Sequence, residues 1–64
     1  MKSKRITNKC PVCGKADLEV FEICPHCEWQ NDLYQMRHPD QDGCANRMSL
    51  NEARIACKEG RQIR

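Results

Sequence analysis

The 64-residue sequence predicts a small metal-stabilised α+β domain, with two cysteine turns joined by a short strand and followed by a loop and a C-terminal helix. Three observations support this prediction: the shortness of the chain, the pairing of four of its six cysteines as Cys-x-x-Cys, and a helix-capping sequence near the C-terminus. We expect one domain at residues 9–60, preceded by a flexible basic arm (residues 1–8) and followed by a tail (residues 61–64).

The chain is too short to be stabilised by apolar packing alone. A domain of about 60 residues buries only about 60% of the surface that its unfolded chain exposes. Here Phe21, Trp29 and Tyr34 are the only aromatic residues, and the large aliphatic residues are spread thinly. Domains of this size are usually stabilised by disulfides, by a metal or by oligomerisation.

The N-terminal sequence and the cysteine spacing favour a metal over disulfides. The chain begins Met-Lys-Ser-Lys-Arg with no apolar segment behind these charges, so no secretory signal is expected. No run of about twenty apolar residues is present, so we expect neither a membrane span nor a membrane partner. These features predict a cytoplasmic protein, whose thiols stay reduced.

Cys10, Cys13, Cys24 and Cys27 are the expected ligands of one zinc ion. Two adjacent Cys-x-x-Cys turns direct four thiolates at one point, as in the structural zinc sites of zinc ribbons. A rubredoxin-like iron site uses the same kind of ligands and stays open as an alternative. Glu28 stands where the first turn has a glycine, so we expect the second turn to be more open or to lead into a helix.

The elements outside the turns follow from local patterns. Residues 18–23 alternate in the manner of one short strand. Trp29, Leu33 and Met36 share a helical spacing, which predicts a helical turn within residues 28–37. Residues 38–46 are rich in Pro, Gly, Asp and Asn and are expected to form a loop.

The C-terminal helix is the clearest local prediction. Ser49 and Glu52 have the spacing of a capping box. Leu50, Ala53 and Cys57 then fall on one stripe, and a glycine at position 60 stands where helices commonly end.

The remaining histidines and cysteines are not expected to bind the metal. His26 lies inside a cysteine turn, where side chains usually point away from the ion, and His38 falls in the predicted loop. Cys44 and Cys57 are interpreted as small buried apolar residues.

The charges are segregated along the chain. The net charge of +2 assumes neutral thiols, and four thiolates with one divalent ion would bring it to about zero. Residues 1–15 carry five basic and no acidic residues, residues 16–46 carry seven acidic residues against Arg37, and residues 47–64 carry five basic and two acidic residues. Both ends are therefore basic and the middle is acidic.

Several motifs together resemble the cysteine-rich CPCC family of small bacterial and phage proteins. The motifs cover residues 10 to about 57 and read Cys-Pro-Val-Cys-Gly, Phe-Glu-Ile-Cys-Pro-His-Cys with Trp29, Pro-Asp, Gly-Cys-Ala-Asn and Ser-Leu-Asn-Glu-Ala-Arg. The chain departs from the family pattern in having Val12 for a cysteine, Gln-Asn-Asp at residues 30–32 for an acidic triplet, and Cys44 for a glycine. The resemblance implies a metal-binding domain but no particular reaction.

No enzyme is expected. A four-cysteine site leaves no open coordination position for water or substrate, and two Cys-x-x-Cys pairs in so short a chain do not fit a thioredoxin-like redox unit. We see no Ser-His-Asp arrangement and no Gly-rich phosphate loop, so no small-molecule substrate is expected either.

Two binding functions remain, besides the rubredoxin-like electron carrier. The first is a small protein-binding adaptor or inhibitor, comparable to an immunity protein, with Trp29, Asp32, Tyr34 and Met36 as its expected exposed contact residues. For Trp29 the alternative is a structural role, in which the ring packs over the metal core. The alternative is nucleic-acid binding by the basic ends, through Lys2, Lys4, Arg5, Lys9, Lys15, Arg54, Arg61 and Arg64. Those ends lack the aromatic residues on which bases stack, so we favour a protein partner.

Overall fold

A computed structural model describes residues 7–63 as a small α+β fold. Its elements in chain order are β1 (Asn8–Lys9), β2 (Asp17–Leu18), α1 (Leu33–Arg37) and α2 (Leu50–Lys58). Most of the predicted basic arm lies outside the described residues. Asn8, which was assigned to that arm, belongs to β1 instead.

A two-stranded antiparallel hairpin encloses the first cysteine turn (residues 10–14). Asn8 pairs with Leu18 and Lys9 with Asp17, and the amide of Cys10 donates to the carbonyl of Ala16 at 2.8 Å. The hairpin therefore fixes both chain segments that flank this turn.

The prediction of one strand over residues 18–23 is wrong in its extent. The strand ends at Leu18, and Phe21 has a left-handed backbone with a φ of 63°. This conformation costs an L-residue about 1–2 kcal/mol and turns the chain away from the sheet. The following residues pair instead with residues 29–31, through a bridge between Ile23 and Gln30 and a bond from the Phe21 amide to the Asn31 carbonyl at 2.7 Å.

Helix α1 confirms the helical turn predicted within residues 28–37, but it occupies only the second half of that range. Asp32 is its N-cap, and its side chain accepts from the amide of Tyr34. The second Asp32 carboxylate oxygen accepts from the amide of Ala45 at 3.2 Å. Trp29 precedes the helix and belongs to the core.

The loop predicted at residues 38–46 is present, and it is held by buried amide side chains. The Gln35 side chain donates to the carbonyls of Gln41, Asn46 and Met48 at 2.9–3.3 Å. Asn46 binds both backbone groups of Gln30, accepting from its amide at 2.9 Å and donating to its carbonyl at 2.8 Å. The loop is thus anchored to α1 and to the strand-like segment before it.

Helix α2 confirms the C-terminal helix and its capping box. Ser49 accepts from the amide of Glu52 at 3.1 Å, and the Glu52 carboxylate accepts from the amide of Ser49 at 2.9 Å. At the other end the amides of Gly60 and Arg61 donate to carbonyls of the last turn at 3.2 and 2.7 Å. This is a Schellman motif, and Gly60 has the left-handed φ of 74° that it requires.

The core lies between the cysteine turns and the inner face of α2. Its buried apolar residues are Cys10, Leu18, Cys24, Trp29, Leu50, Ala53, Ala56 and Ile63. Ile63 is only 5% exposed, so the prediction that residues 61–64 form a tail outside the domain is wrong for this residue. Within residues 7–63, neither helix has the length and apolar character that a membrane span requires.

Candidate metal centre

The four predicted ligands converge on one point. The Sγ atoms of Cys10, Cys13, Cys24 and Cys27 all lie within 4.8 Å of one another. The Sγ atoms of Cys10 and Cys27 are 3.5 Å apart, and those of Cys13 and Cys24 are 3.6 Å apart. All four are free thiols, of which Cys10 and Cys24 are buried and Cys13 and Cys27 are half-buried.

The two cysteine turns have the same backbone geometry. The amide of Gly14 donates to the carbonyl of Cys10, and the amide of Glu28 donates to the carbonyl of Cys24, both at 2.9 Å. Gly14 and Glu28 both have a φ of 70°. The expectation that the second turn (residues 24–28) is more open, or leads directly into a helix, is therefore wrong, because Glu28 takes the left-handed conformation despite its side chain.

Backbone amides point at three of the sulfurs. The His26 amide donates to Cys24 Sγ at 3.4 Å, and the amide of Cys27 binds the same sulfur. In the same way the amide of Lys15 binds Cys13 and that of Trp29 binds Cys27. These donors stabilise thiolates, which are the form that binds metal.

The local environment shifts the pKa values of the thiols in different directions. Burial raises the pKa of Cys13 and of Cys27 above the ordinary thiol value. Burial also acts to raise the pKa of Cys24, but its hydrogen-bond donors outweigh that effect and lower the pKa to about 7. If all four thiols were ionised, the closely packed thiolates would repel one another. Full ionisation of the cluster therefore requires a cation among the sulfurs.

The sulfur cluster fits a tetrahedral metal ion. Zn–S bonds of about 2.3 Å in a tetrahedron place the sulfurs about 3.8 Å apart, which is close to the shortest separations in the cluster. With four cysteines as ligands, a tetrahedral ion has no position left for water or substrate. Such a centre can cross-link the two turns of the chain.

The other cysteines and histidines stand outside this cluster. Cys57 is half-buried against the core, whereas Cys44 is exposed, so the interpretation of Cys44 as a buried apolar residue is wrong. His26 is exposed in the second cysteine turn. His38 is also exposed and packs on the ring of Tyr34, with 4.4 Å between the centroids.

The four residues expected to contact a partner do not form one exposed surface. Trp29 is completely buried, so the prediction that it is an exposed contact residue is wrong. Asp32 is 6% exposed and caps α1, so its exposure was also predicted wrongly. Met36 is half-buried, and its sulfur accepts from the Asn8 side chain at 3.7 Å. Tyr34, which is 52% exposed, remains available for contact.

Several structural residues outside the sulfur cluster were not identified from the sequence. Asn31 is buried and exchanges hydrogen bonds with the Asn8 side chain at 2.8 and 3.2 Å, while Gln35 and Asn46 anchor the loop. The Gly-Cys-Ala-Asn motif did contain Asn46, but nothing in the motif indicates which backbone groups Asn46 binds.

The comparisons agree with this geometry. The family model described as Cysteine-rich CPCC matches residues 8–60, a range that includes both cysteine turns and α2. No curated protein matches the chain. Because the matched range is most of the chain and contains the whole sulfur cluster, this protein belongs to the cysteine-rich CPCC family.

Proposed function

We propose that this protein is a non-catalytic, cytoplasmic zinc domain of the zinc-ribbon or rubredoxin-like kind that acts by binding another protein, as a small adaptor or inhibitor. The observation that carries the zinc assignment is the clustering of four Sγ atoms within 4.8 Å. Cys10 and Cys13 would bind the ion from the first cysteine turn, and Cys24 and Cys27 from the second. The ion supplies a cross-link between two turns that the small apolar core would not hold together by itself.

The absence of aromatic residues from the basic ends of the chain supports a protein partner over nucleic acid, because bases stack on exposed aromatic side chains. Three of the basic side chains expected to contact phosphates already have partners on the protein. Lys9 is 3.6 Å from the carboxylate of Asp17, and Arg61 is 2.7 Å from that of Glu59. Arg54 donates to the carbonyl of Pro11 at 2.8 Å.

The zinc assignment predicts one zinc ion per chain and loss of the fold when it is removed. The protein is expressed in medium supplied with both zinc and iron, and its metal content is measured by mass spectrometry. Chelation is expected to abolish the far-ultraviolet circular dichroism of α2, because structural zinc contributes about 10–16 kcal/mol to the folding of short domains. Re-addition of zinc is expected to restore it.

Matched variants make this test specific. Cys27→Ser is expected to lose the metal, whereas Cys44→Ser and Cys57→Ser are expected to keep it. A metal-free protein that stays folded would contradict the assignment. If the bound metal is iron and shows the visible absorption of an iron–thiolate centre, the rubredoxin-like alternative replaces the zinc assignment.

The nucleic-acid alternative has its own measurement. Filter binding of single-stranded DNA and RNA is measured at two salt concentrations, since phosphate contacts make binding strongly salt-dependent. We expect no binding at physiological salt. Tight binding that weakens steeply with salt and disappears when the basic residues of positions 1–15 are neutralised would contradict a protein partner.

A further inference from the structure

The sulfur cluster contains close contacts between the two cysteine turns. The Sγ atoms of Cys10 and Cys27 are 3.5 Å apart, and those of Cys13 and Cys24 are 3.6 Å apart. Each of these contacts joins one cysteine of the first turn to one of the second, and we name them the cross-turn pairs. A disulfide bond is about 2.05 Å long, so a movement of about 1.5 Å brings either pair to bonding distance.

Each cross-turn pair combines a half-buried sulfur with a buried one. Cys27 and Cys13 are half-buried, whereas their partners Cys10 and Cys24 are buried. Cys27 also lines a cleft at the protein surface. A small oxidant therefore reaches one member of each pair more easily, and the shielded member stays available as a thiol to complete a disulfide.

The backbone bonds that position the two turns do not involve the sulfurs. The amide of Cys10 donates to the carbonyl of Ala16 at 2.8 Å, and the amide of Cys24 donates to the carbonyl of Trp29 at 2.9 Å. Formation of a disulfide removes neither bond. The turns can therefore stay in place while the side chains of the cross-turn pairs rotate towards each other.

We infer that the cross-turn pairs are a redox switch, in which a hydroperoxide converts them into the disulfides Cys10–Cys27 and Cys13–Cys24. The switch releases the metal and keeps the two turns linked. This inference goes beyond the proposed protein-binding function and does not depend on it. Disulfides in cytoplasmic proteins are usually of this transient, redox-sensing kind.

The oxidation consumes one molecule of hydrogen peroxide for each disulfide. The half-buried thiolate attacks one peroxide oxygen, the O–O bond breaks, and a sulfenic acid and a hydroxide ion are formed. The thiolate of the buried partner then attacks the sulfenic sulfur, and the S–S bond forms as a second hydroxide ion leaves. The two sulfurs lose two electrons, which reduce the peroxide. After both pairs have reacted, no thiolate of the cluster remains to bind a divalent ion.

The pairing across the turns decides whether the oxidised protein stays folded. A disulfide between the two turns restricts the unfolded chain and takes over the cross-link that the ion would supply. A disulfide within either Cys-x-x-Cys turn would leave the two turns unlinked. We therefore expect the oxidised, metal-free protein to keep α2, whereas the reduced, metal-free protein unfolds.

The test treats the zinc-loaded Cys44→Ser protein with hydrogen peroxide, because this substitution prevents cross-linking between molecules at the exposed thiol. A chromogenic chelator measures zinc release, and tryptic peptides are analysed by mass spectrometry without reduction. Trypsin cleaves on both sides of each turn, so two of the clustered cysteines lie in peptide 10–15 and two in peptide 16–37. Cross-turn disulfides join these two peptides, whereas disulfides within the turns leave them separate.

We expect the release of one zinc ion per chain, together with the joined peptides and an unchanged far-ultraviolet circular dichroism. Tandem mass spectrometry is expected to assign the disulfides to Cys10–Cys27 and Cys13–Cys24. Dithiothreitol followed by zinc is expected to restore the starting protein. Because the peptides report the pairing directly, this result does not depend on whether zinc or iron is the native metal.

Cys57 provides the matched control. It lines the same cleft as Cys27 and is the competing thiol on that side of the cluster. We expect Cys57→Ser, in the Cys44→Ser background, to give the same joined peptides and the same zinc release.

The outcomes that would overturn the switch are distinct. Separate peptides 10–15 and 16–37, each with an internal disulfide, would overturn the cross-turn pairing. A disulfide from peptide 16–37 to peptide 55–58 would make Cys57 the partner instead. Sulfinic acids without disulfides, or zinc release with loss of the circular dichroism of α2, would show that oxidation damages the centre rather than switching it. Each of these results leaves the proposed protein-binding function unaffected.

Discussion

Glu28 shows how the second cysteine turn differs energetically from the first. It has the same φ of 70° as Gly14, but it carries a side chain that disfavours this conformation by about 1–2 kcal/mol. The turn is closed in spite of this cost, by the bond from its amide to the Cys24 carbonyl. The second turn therefore holds local strain that the first turn lacks.

Replacing Glu28 by glycine is expected to stabilise the protein. Glu28→Gly removes the strain but gives the unfolded chain more freedom, so we expect the free energy of unfolding of the zinc-loaded protein to rise by about 1 kcal/mol. Guanidinium denaturation at a fixed zinc concentration measures this change. Lower stability would show that the Glu28 side chain contributes more to the fold than its backbone costs.

Gly14→Ala is the matched control. A Cβ atom at this position would meet nothing within 4 Å, so its effect isolates the backbone conformation. We expect a loss of about 1 kcal/mol. A gain in the free energy of unfolding for Glu28→Gly and a loss for Gly14→Ala would confirm that both turns require a left-handed residue at this position.

Single residues also show what the sequence could and could not predict about the centre. The clustering of four cysteines was predicted because their spacing along the chain encodes the turn geometry. Asn31 and Gln35 were missed, because a buried amide is recognised by its partners and those partners are distant in sequence. The choice for Trp29 between an exposed contact and packing over the metal core stayed open for a related reason, since an isolated aromatic residue gives no local sign of whether it is buried.

At the scale of elements, α2 was predicted well because both of its ends carry local signals. The capping box and the terminal glycine use backbone groups within a few residues of one another. The two-residue strands were not predicted, because they pair across the cysteine turn and are too short to show alternation. The prediction of one strand over residues 18–23 is wrong at Phe21, because the chain turns there through a left-handed residue that is not a glycine.

The capping box predicts a defined loss on substitution. Ser49→Ala removes the acceptor for the amide of Glu52, and we expect the free energy of unfolding to fall by about 1 kcal/mol. Zinc content is expected to stay at one ion per chain, since α2 supplies none of the clustered cysteines. Thermal denaturation and metal analysis on the same sample measure both.

Ser49→Asp is the control for this variant, because aspartate is also a favourable N-cap. We expect its stability to match that of the unsubstituted protein. Loss of zinc from Ser49→Ala would show instead that α2 helps to shape the sulfur cluster, for which the Arg54 bond to the first cysteine turn provides a route.

For the whole molecule, the C-terminal end closes the fold. Ile63 lines one cleft with Ala45, Asn46 and Arg47 and another with residues of the second cysteine turn. It therefore links the loop to the metal centre, although it lies beyond residue 60, where the family match ends. Residues 61–64 were predicted to be a tail because a helix-stop signal shows only where the helix ends. It does not show that the chain after α2 returns to the core at Ile63.

Ile63→Ala is expected to lower the free energy of unfolding by about 2 kcal/mol, the lower end of the range for a buried isoleucine. Chemical denaturation at saturating zinc measures this loss. The neighbouring Gln62 is exposed, so Gln62→Ala is expected to have little effect. Equal stability of both variants and the unsubstituted protein would show that Ile63 does not contribute to the core.

The exposure of Cys44 has a practical consequence for handling the protein. Its thiol is the exposed one among the six cysteines, whereas a metal would occupy the four clustered thiols and shield them from alkylation. A maleimide dye or a biotin tag would then attach at Cys44 and leave the fold untouched. The same accessibility makes Cys44 the point at which two molecules cross-link in air, so a covalent dimer that forms on storage is removed by reductant and is not evidence of self-association.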